Sequence, residues 1–243
     1  MKYIESLTDF FKQPNYVKNI ALAGICLLIP IVGPMVVMGW LAIGFWGRDD
    51  KNPATFPDFD FGKFSVYLQR GLWPFLVMLA VGFGVWIVLF VAMAIVGSIL
   101  SVIGGDSGIL AGLFGLVTML INLAMWVVIL LVIKPLKIRS VLAQDFAKSF
   151  DVPFVKLFIA KVWKEGLLSA LFIMVVSMVL MPLGMLALCI GMYFAMAIVF
   201  YATEHLDKQL YDLYLTRGGT PVEVSPLLTG AAEIVPPPPA PPL

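Results

Sequence analysis

Four long segments without a charged residue constrain this chain more than any other feature. They run from Ile20 to Gly47, from Trp73 to Gly105, from Ser107 to Ile133 and from Gly166 to Thr203. A helix needs about 20 apolar residues to cross a hydrocarbon core of about 30 Å, so each segment can cross at least once. Hydrophobic residues make up 61% of the chain and charged residues only 13%, which disfavours a water-soluble fold. The sequence therefore predicts an all-α integral membrane protein.

Basic residues predict how these segments are oriented. Lysine and arginine flank every charge-free segment, and only the short link from Gly104 to Gly108 lacks both. Because cytoplasmic loops collect these residues, that link is expected outside and both termini inside. The first and last segments must then return to the side on which they start. We expect about six transmembrane or re-entrant helices arranged in three hairpins.

Two proline-containing motifs are the predicted points of reversal. The first contains Pro30, Gly33 and Pro34, and the second contains Pro182 and Gly184. Proline removes a helix hydrogen bond and clashes with the preceding turn, so both motifs favour a helix break. A single kinked helix is the alternative at each site, and methionines at a heptad-like spacing continue through Pro182 in support of it.

Amphipathic stretches lie between the apolar segments. From Ser140 to Lys164 large apolar residues alternate with lysines and aspartates, and Pro153 is expected to separate two short helices. The stretch from Glu204 to Leu215 is similar. Such helices lie in the membrane interface, so we expect a collar on the cytoplasmic face. No segment is long enough for a separate soluble catalytic domain.

Several stretches together resemble a known family. They are NYVKNIALAGICLLIPIVGPMVVMGWL, FPDFDFGKFSVYLQRGL, VLAQDFAKSFD and FYATEHLDKQLY, spread between Phe10 and Tyr214. This pattern is similar to the domain-of-unknown-function 4013 family of prokaryotic multi-pass membrane proteins. The resemblance implies a membrane fold in a bacterial or archaeal cytoplasmic membrane. The family has no established activity, so it implies no catalytic residue.

The sequence predicts no catalytic, cofactor or metal site. The four segments contain no ionisable side chain, which disfavours a proton-coupled pump. Asn122, the most polar residue within them, is expected to hydrogen-bond between helices or to its own backbone, although it could line a permeation path.

Cys26 and Cys189 are interpreted as packing residues. Copper binding by the methionines with Cys189 is the less favoured alternative. His205 is the only histidine, so no histidine-based metal site is possible.

The C-terminal residues 218–243 are predicted to form a tail that follows a membrane domain of residues 1–217. This tail ends in a proline-rich run, which favours polyproline II and could dock on a partner protein; a disordered tail is the alternative. The predicted partner-binding residues are Pro236, Pro237, Pro238, Pro239, Pro241 and Pro242.

The leading functional prediction is a non-enzymatic accessory or scaffold subunit of a larger membrane assembly, whose cytoplasmic collar and proline-rich tail contact partner proteins. Its partners would be the lipid bilayer and other membrane subunits, with a homo-oligomer also possible. The 16 basic and 15 acidic residues nearly cancel, so nucleic acid is not expected as a partner. The alternative is a small transporter or channel for an uncharged or apolar solute, with both helix breaks near its path.

Overall fold

A computed structural model describes residues 1–48, 52–104, 108–187 and 190–229. Within these ranges the secondary structure is helical and contains no strand, which confirms the all-α prediction. The α-helices are α1 (Tyr3–Thr8), α2 (Tyr16–Leu27), α3 (Val32–Trp46), α4 (Phe64–Gly104), α5 (Gly108–Ala143), α6 (Phe146–Ser149), α7 (Val152–Leu186), α8 (Gly191–Thr216) and α9 (Pro226–Thr229). Short 3-10 turns cover Asp9–Lys12, Pro53–Thr55 and Phe61–Lys63.

Three stretches in the described ranges are long and apolar enough to cross a membrane. They are Phe61–Ile99, Gly112–Ala143 and Phe146–Leu186, which contain most of α4, α5 and α7. Helices α2 and α3 are also apolar but contain only 12 and 15 residues. At 1.5 Å per residue they are about 18 and 22 Å long, so neither reaches across a hydrocarbon core of about 30 Å.

The first predicted break separates α2 from α3. Pro30 lies in the turn between the helices, and Gly33 and Pro34 lie in the first turn of α3. Ile31 adopts a positive φ of 67° directly before α3. A Cβ at Gly33 would lie 2.1 Å from the carbonyl oxygen of Cys26, so only glycine allows this close approach.

The chain reverses direction at this turn, because α2 and α3 both contact the same segment of the following loop. The side-chain oxygen of Asn19 on α2 accepts a hydrogen bond from the Phe59 amide at 2.9 Å. The indole of Trp40 on α3 donates to the carbonyl of Pro57, also at 2.9 Å. The two helices therefore form a short hairpin.

The second break lies later than the sequence predicts. Helix α7 continues through Pro182 and Gly184 and ends at Leu186, and α8 begins at Gly191. A proline costs one helix hydrogen bond but does not by itself end a helix, so the predicted position is corrected by a few residues. Gly184 has a different role, because a Cβ there would lie 2.7 Å from the Met192 amide nitrogen. Its lack of a side chain lets α7 and α8 pack closely beside their connection.

Helix α3 forms the centre of the folded body. Trp40 and Leu41 are completely buried, and Trp40 packs edge-on against Phe56 and Phe59. Helices α3 and α4 touch backbone to backbone, since a Cβ at Gly39 would lie 1.8 Å from the Tyr67 carbonyl oxygen. The apolar character of α3 is thus explained by burial in protein.

The hairpin of α4 and α5 differs from this body because most of its apolar side chains are exposed. Half-buried residues on α4 recur every three or four positions, at Val81, Val85, Leu89, Ala92 and Val96. This spacing places them on one face, which we assign to the contact with α5. The first part of α4 packs against α3, whereas from Leu79 onward its remaining faces are mostly exposed.

The segment after α8 packs against the body as far as Thr229. Gly218 has a φ of 75° and ends α8 in the left-handed conformation that glycine favours. The Val222 amide donates to the Tyr211 hydroxyl and the Ser225 amide donates to the Leu142 carbonyl, both at 2.8 Å. Leu228 is buried. The predicted partner-binding prolines Pro236–Pro242, and Cys189, lie outside the described residues.

Candidate functional site

Four buried charged side chains connect α5 to α8. Lys134 and Lys137 lie one turn apart on α5, and Glu204 and Asp207 lie one turn apart on α8. Their side chains are 9%, 9%, 3% and 2% exposed. We call these four residues the ion cluster. It lies where the apolar parts of both helices end, because Lys134 follows Ile133 and Glu204 follows Thr203.

Every member of the ion cluster has an oppositely charged partner. Lys134 Nζ lies 2.7 Å from Asp207 Oδ1, and Lys137 Nζ lies 3.0 Å from Asp207 Oδ2. Lys137 Nζ also lies 2.5 Å from Glu204 Oε1. The two lysines and two carboxylates balance, so the cluster carries no net charge when all four are ionised.

The balance of burial and pairing determines the charge state of Asp207. Burial by itself raises the pKa of a carboxyl group, but the ammonium groups of Lys134 and Lys137 outweigh it and hold the pKa of Asp207 below its usual value. Asp207 is therefore ionised at neutral pH. Each of its two oxygens accepts a hydrogen bond from a lysine. Asp207 therefore holds α5 and α8 in fixed positions and is not available as a general base.

The ion cluster is linked to α3 through Trp46. The indole nitrogen of Trp46 donates to Glu204 Oε2 at 3.3 Å. The ammonium group of Lys208 lies 5.4 Å from the centre of the Trp46 ring, within cation–π distance. Three helices that are distant in sequence therefore meet at these polar contacts.

A polar cavity of about 170 Å³ lies beside the ion cluster, on another face of α8. Its lining includes the charged residues Asp9, Arg48, Lys208 and Asp212, together with His205 and Tyr201. Most of them are engaged with neighbours. Asp9 pairs with Lys12 at 2.7 Å, Lys208 pairs with Asp212 at 2.8 Å, and Arg48 donates to the Asn52 carbonyl at 2.8 Å.

His205 is the residue of this cavity that is most able to change its charge near neutral pH. Its ring stacks on Phe45 with a centroid distance of 5.4 Å, and its Nδ1 lies 4.0 Å from Asp9 Oδ2 without a hydrogen-bond partner. Burial lowers the pKa of His205, while Asp9 and Glu5 oppose this effect. The imidazole is consequently neutral at pH 7.

The site differs from the residues that the sequence singled out. Pro30, Gly33, Pro34, Pro182 and Gly184 line neither the ion cluster nor the polar cavity. Asn122 donates to the carbonyl of Thr118 on its own helix, at 2.9 Å. His205 lines the polar cavity and stacks against Phe45. No group of three or more potential metal ligands occurs in the described part of the chain.

Sequence reasoning missed the ion cluster because its members lie just outside the charge-free segments. The available signal was a pair of like charges one turn apart at the end of an apolar segment, found in both α5 and α8. Such pairs also occur on solvated helix faces. Only the packing of α5 against α8 distinguishes the two cases.

No protein-family model, curated protein or solved structure matches this chain. The resemblance to the domain-of-unknown-function 4013 family therefore stays a prediction.

Proposed function

We propose that this chain is a non-enzymatic accessory or scaffold subunit that docks other membrane subunits on its α4–α5 hairpin. The observation that carries the proposal is a row of exposed residues along α4, which we call the small-residue stripe. It consists of the small residues Ala80, Gly84, Ala94 and Ser98 with the larger Ile87 and Val91 between them, all of them exposed. Their alternating spacing of four and three residues keeps them on one side of the helix.

The folded body shows how this chain uses small residues when a helix partner is present. At the crossing of α3 and α4, a Cβ added to Gly71 would lie 1.7 Å from the Met35 carbonyl oxygen. A Cβ added to Gly84, in the small-residue stripe, would meet no atom within 4 Å. Small residues in membrane helices allow close helix approach, so the stripe provides a surface for a helix from another subunit.

The membrane placement that we propose rests on helix length for α4, α5 and α7 and on the distribution of basic residues for the other helices. The α4–α5 hairpin crosses the bilayer, the shorter α2–α3 hairpin enters and returns on the same side, and α7 and α8 form the third hairpin. Non-helical backbone within a bilayer requires cover by protein. Phe194 of α8 packs against Gly24 within α2, whereas the turn residues Leu28, Ile29 and Ile31 are exposed in the described structure. Both termini lie in the cytoplasm, by the distribution of basic residues. The family resemblance favours a bacterial or archaeal membrane.

The geometry favours a scaffold over the transport alternative. A path for a solute between the two helix breaks would be lined by residues near Pro30 and Pro182. The polar cavity beside the ion cluster is lined by neither group, and most of its charged residues are engaged: Lys208 pairs with Asp212, and Asp9 pairs with Lys12 outside the lining. The charges of the ion cluster are also mutually paired, which suits a fixed structural connection better than a moving one.

The proposal is tested by native mass spectrometry of the protein extracted gently from its own membrane. The test variant carries Gly84→Leu and Ala94→Leu in the small-residue stripe. The matched control is Gly82→Leu, since Gly82 is also exposed, has no atom within 4 Å of an added Cβ and points away from the stripe. We expect stoichiometric partners with the wild type and the control, and their loss with the double variant.

Truncation after Thr229 separates the contribution of the proline-rich tail. The cut belongs there and not after Gly218, because Val222 and Leu228 are buried in the body. Partners lost only on truncation would move the docking site from the hairpin to the tail. A protein that is isolated alone, or as a homo-oligomer, in every form would overturn the accessory-subunit proposal.

A further inference from the structure

Exposed lysines and exposed large apolar side chains occur together on α6, on the short link that follows it and on the first part of α7. The residues are Lys148, Phe150, Val152, Lys156, Trp163 and Lys164, which we call the basic apolar strip. Val152 is 57% exposed and Trp163 is 46% exposed, although both are large apolar residues. Contact with water alone does not explain why large apolar side chains are exposed beside lysines at this surface.

The acidic residues beside the strip are engaged in other contacts. Asp145 accepts a hydrogen bond from the Lys148 backbone amide at 3.0 Å and so caps α6. Asp151 caps α7 through the Phe154 amide at 3.0 Å.

Asp151 and a third acidic neighbour of the strip, Glu165, pair with arginines that lie away from the strip. Asp151 lies 2.6 Å from Arg139, and Glu165 lies 2.6 Å from Arg217. Across the described ranges, no carboxylate lies within ion-pair distance of Lys148, Lys156 or Lys164. The three lysines of the strip therefore form no direct ion pair with a described carboxylate, although the charge of Lys164 acts on the neighbouring Glu165.

Helix α7 changes its geometry inside the strip. Val162 leaves the helical region with φ −136° and ψ 19°, so a kink separates the residues before it from the apolar part that follows. Trp163 is the first residue after the kink, and the ammonium group of Lys164 lies 5.6 Å from its ring centre. Tryptophan prefers the level of lipid headgroups, and apolar residues continue from Leu167 to Leu186. The strip thus lies where an amphipathic helix meets a candidate membrane span.

We propose that the basic apolar strip binds the anionic phospholipids of the cytoplasmic leaflet. The three lysines contact the phosphate groups, while Trp163, Phe150 and Val152 enter the boundary with the acyl chains. Positive charge without a direct ion pair and continuity with the span argue for this occupant over a protein. The inference rests on the membrane placement proposed above and is independent of the docking of other subunits.

The test uses tryptophan quenching by brominated lipids in the full chain, reconstituted into nanodiscs. One set of nanodiscs contains brominated phosphatidylglycerol in ordinary phosphatidylcholine. The other contains brominated phosphatidylcholine in ordinary phosphatidylglycerol, at the same total lipid composition. The difference between the wild type and Trp163→Phe isolates the signal of Trp163. The difference between the wild type and Trp86→Phe isolates Trp86, which is 61% exposed on the α4–α5 hairpin.

We expect brominated phosphatidylglycerol to quench Trp163 more strongly than brominated phosphatidylcholine does. This excess should be lost in high salt and in the variant Lys148→Gln, Lys156→Gln, Lys164→Gln, because both remove attraction to the headgroups. The matched control Lys2→Gln, Lys18→Gln, Lys63→Gln removes the same charge from other exposed positions and should retain the excess.

Three results would overturn the inference. The quenching of Trp86 shows independently whether the protein lies in the membrane as proposed. Equal quenching of Trp163 by both lipids would show no preference for anionic headgroups. An excess that persists in the strip variant would assign it to other residues. Quenching of Trp86 but not of Trp163 would mean that water or protein covers the strip. If neither tryptophan is quenched, the proposed membrane placement fails as well.

Discussion

Lys134 on α5 and Asp207 on α8 are 73 positions apart in sequence and form a buried ion pair with 2.7 Å between Nζ and Oδ1. Moving either charge from water into the protein interior is costly, and the pair with its neighbours compensates for that cost. The contact therefore makes the position of α8 depend on the position of α5. It also places α8 so that His205 and Lys208 line the polar cavity on another face.

The ion cluster should be sensitive to the loss of its central carboxylate. Asp207→Ala leaves Lys134 without its carboxylate and Lys137 with only one, so we expect a loss of about 3–5 kcal/mol in the free energy of unfolding. Thermal unfolding in detergent measures this effect. The control is Glu5→Ala, which removes a pair with Lys2 whose side chains are 45% and 71% exposed. Exposed pairs contribute little, so this control should unfold near the wild-type temperature.

Charge balance within the cluster provides a second test of the same pairing. The double variant Lys137→Met, Glu204→Gln removes one charge of each sign and leaves Lys134 paired with Asp207. We expect it to lose less stability than the sum of the two single variants, as measured by a double-mutant cycle. Additive losses would show that Lys137 and Glu204 are not coupled and would contradict the described contact.

The backbone contact between α3 and α4 should not tolerate a side chain. Gly39→Ala places a methyl group against the carbonyl of Tyr67, so the helices must separate, and we expect a loss of about 1–3 kcal/mol in unfolding free energy. Gly82→Ala, in the open part of α4, is the matched control. Alanine favours helix over glycine, so the control should be neutral or more stable by up to about 1 kcal/mol. Equal behaviour of the two variants in thermal unfolding would argue against the crossing.

Stability should fall at acidic pH through His205. Burial lowers the pKa of His205 in the folded protein, so the unfolded chain binds more protons as the pH falls through the ordinary value of 6.5. The contribution of His205 is fully present above that value and declines below it. Unfolding temperatures of the wild type and His205→Gln, measured from about pH 8 to about pH 5.5, test this expectation. The variant should show a shallower decline, whereas parallel curves would exclude His205 as a source of the pH dependence.

The membrane placement predicts which positions an impermeant reagent reaches in intact cells. Cysteines are introduced singly at Asp58, Asp106 and Thr220 after Cys26 and Cys189 have been replaced by alanine. We expect labelling at position 106 alone, and labelling at all three positions in permeabilised membranes as the control for accessibility. Labelling at position 220 in intact cells would make the last apolar segment a single crossing. Position 106 lies outside the described residues, so this prediction rests on the distribution of basic residues.

The first helix break was predictable because its cause is local. Pro30 lies in the turn that follows α2, Gly33 allows close approach of the backbone, and Pro34 is tolerated in the first turn of α3, where its missing N–H would have no helical partner. The second break was predicted at Pro182 but lies after Leu186. A single proline is compatible with a continuing helix, so the end of α7 also depends on its packing against α8, which Gly184 permits.

The amino-acid sequence by itself determined the all-α class and the apolar segments, because helix length and hydrophobicity are properties of neighbouring residues. The tertiary structure decided which of those segments are covered by protein. Helix α3 is buried within the body, whereas α4 exposes most of its length. It also decided that Lys134, Lys137, Glu204 and Asp207 form one buried cluster. Their pairing depends on distances between helices that are remote in sequence, and no local pattern encodes those distances.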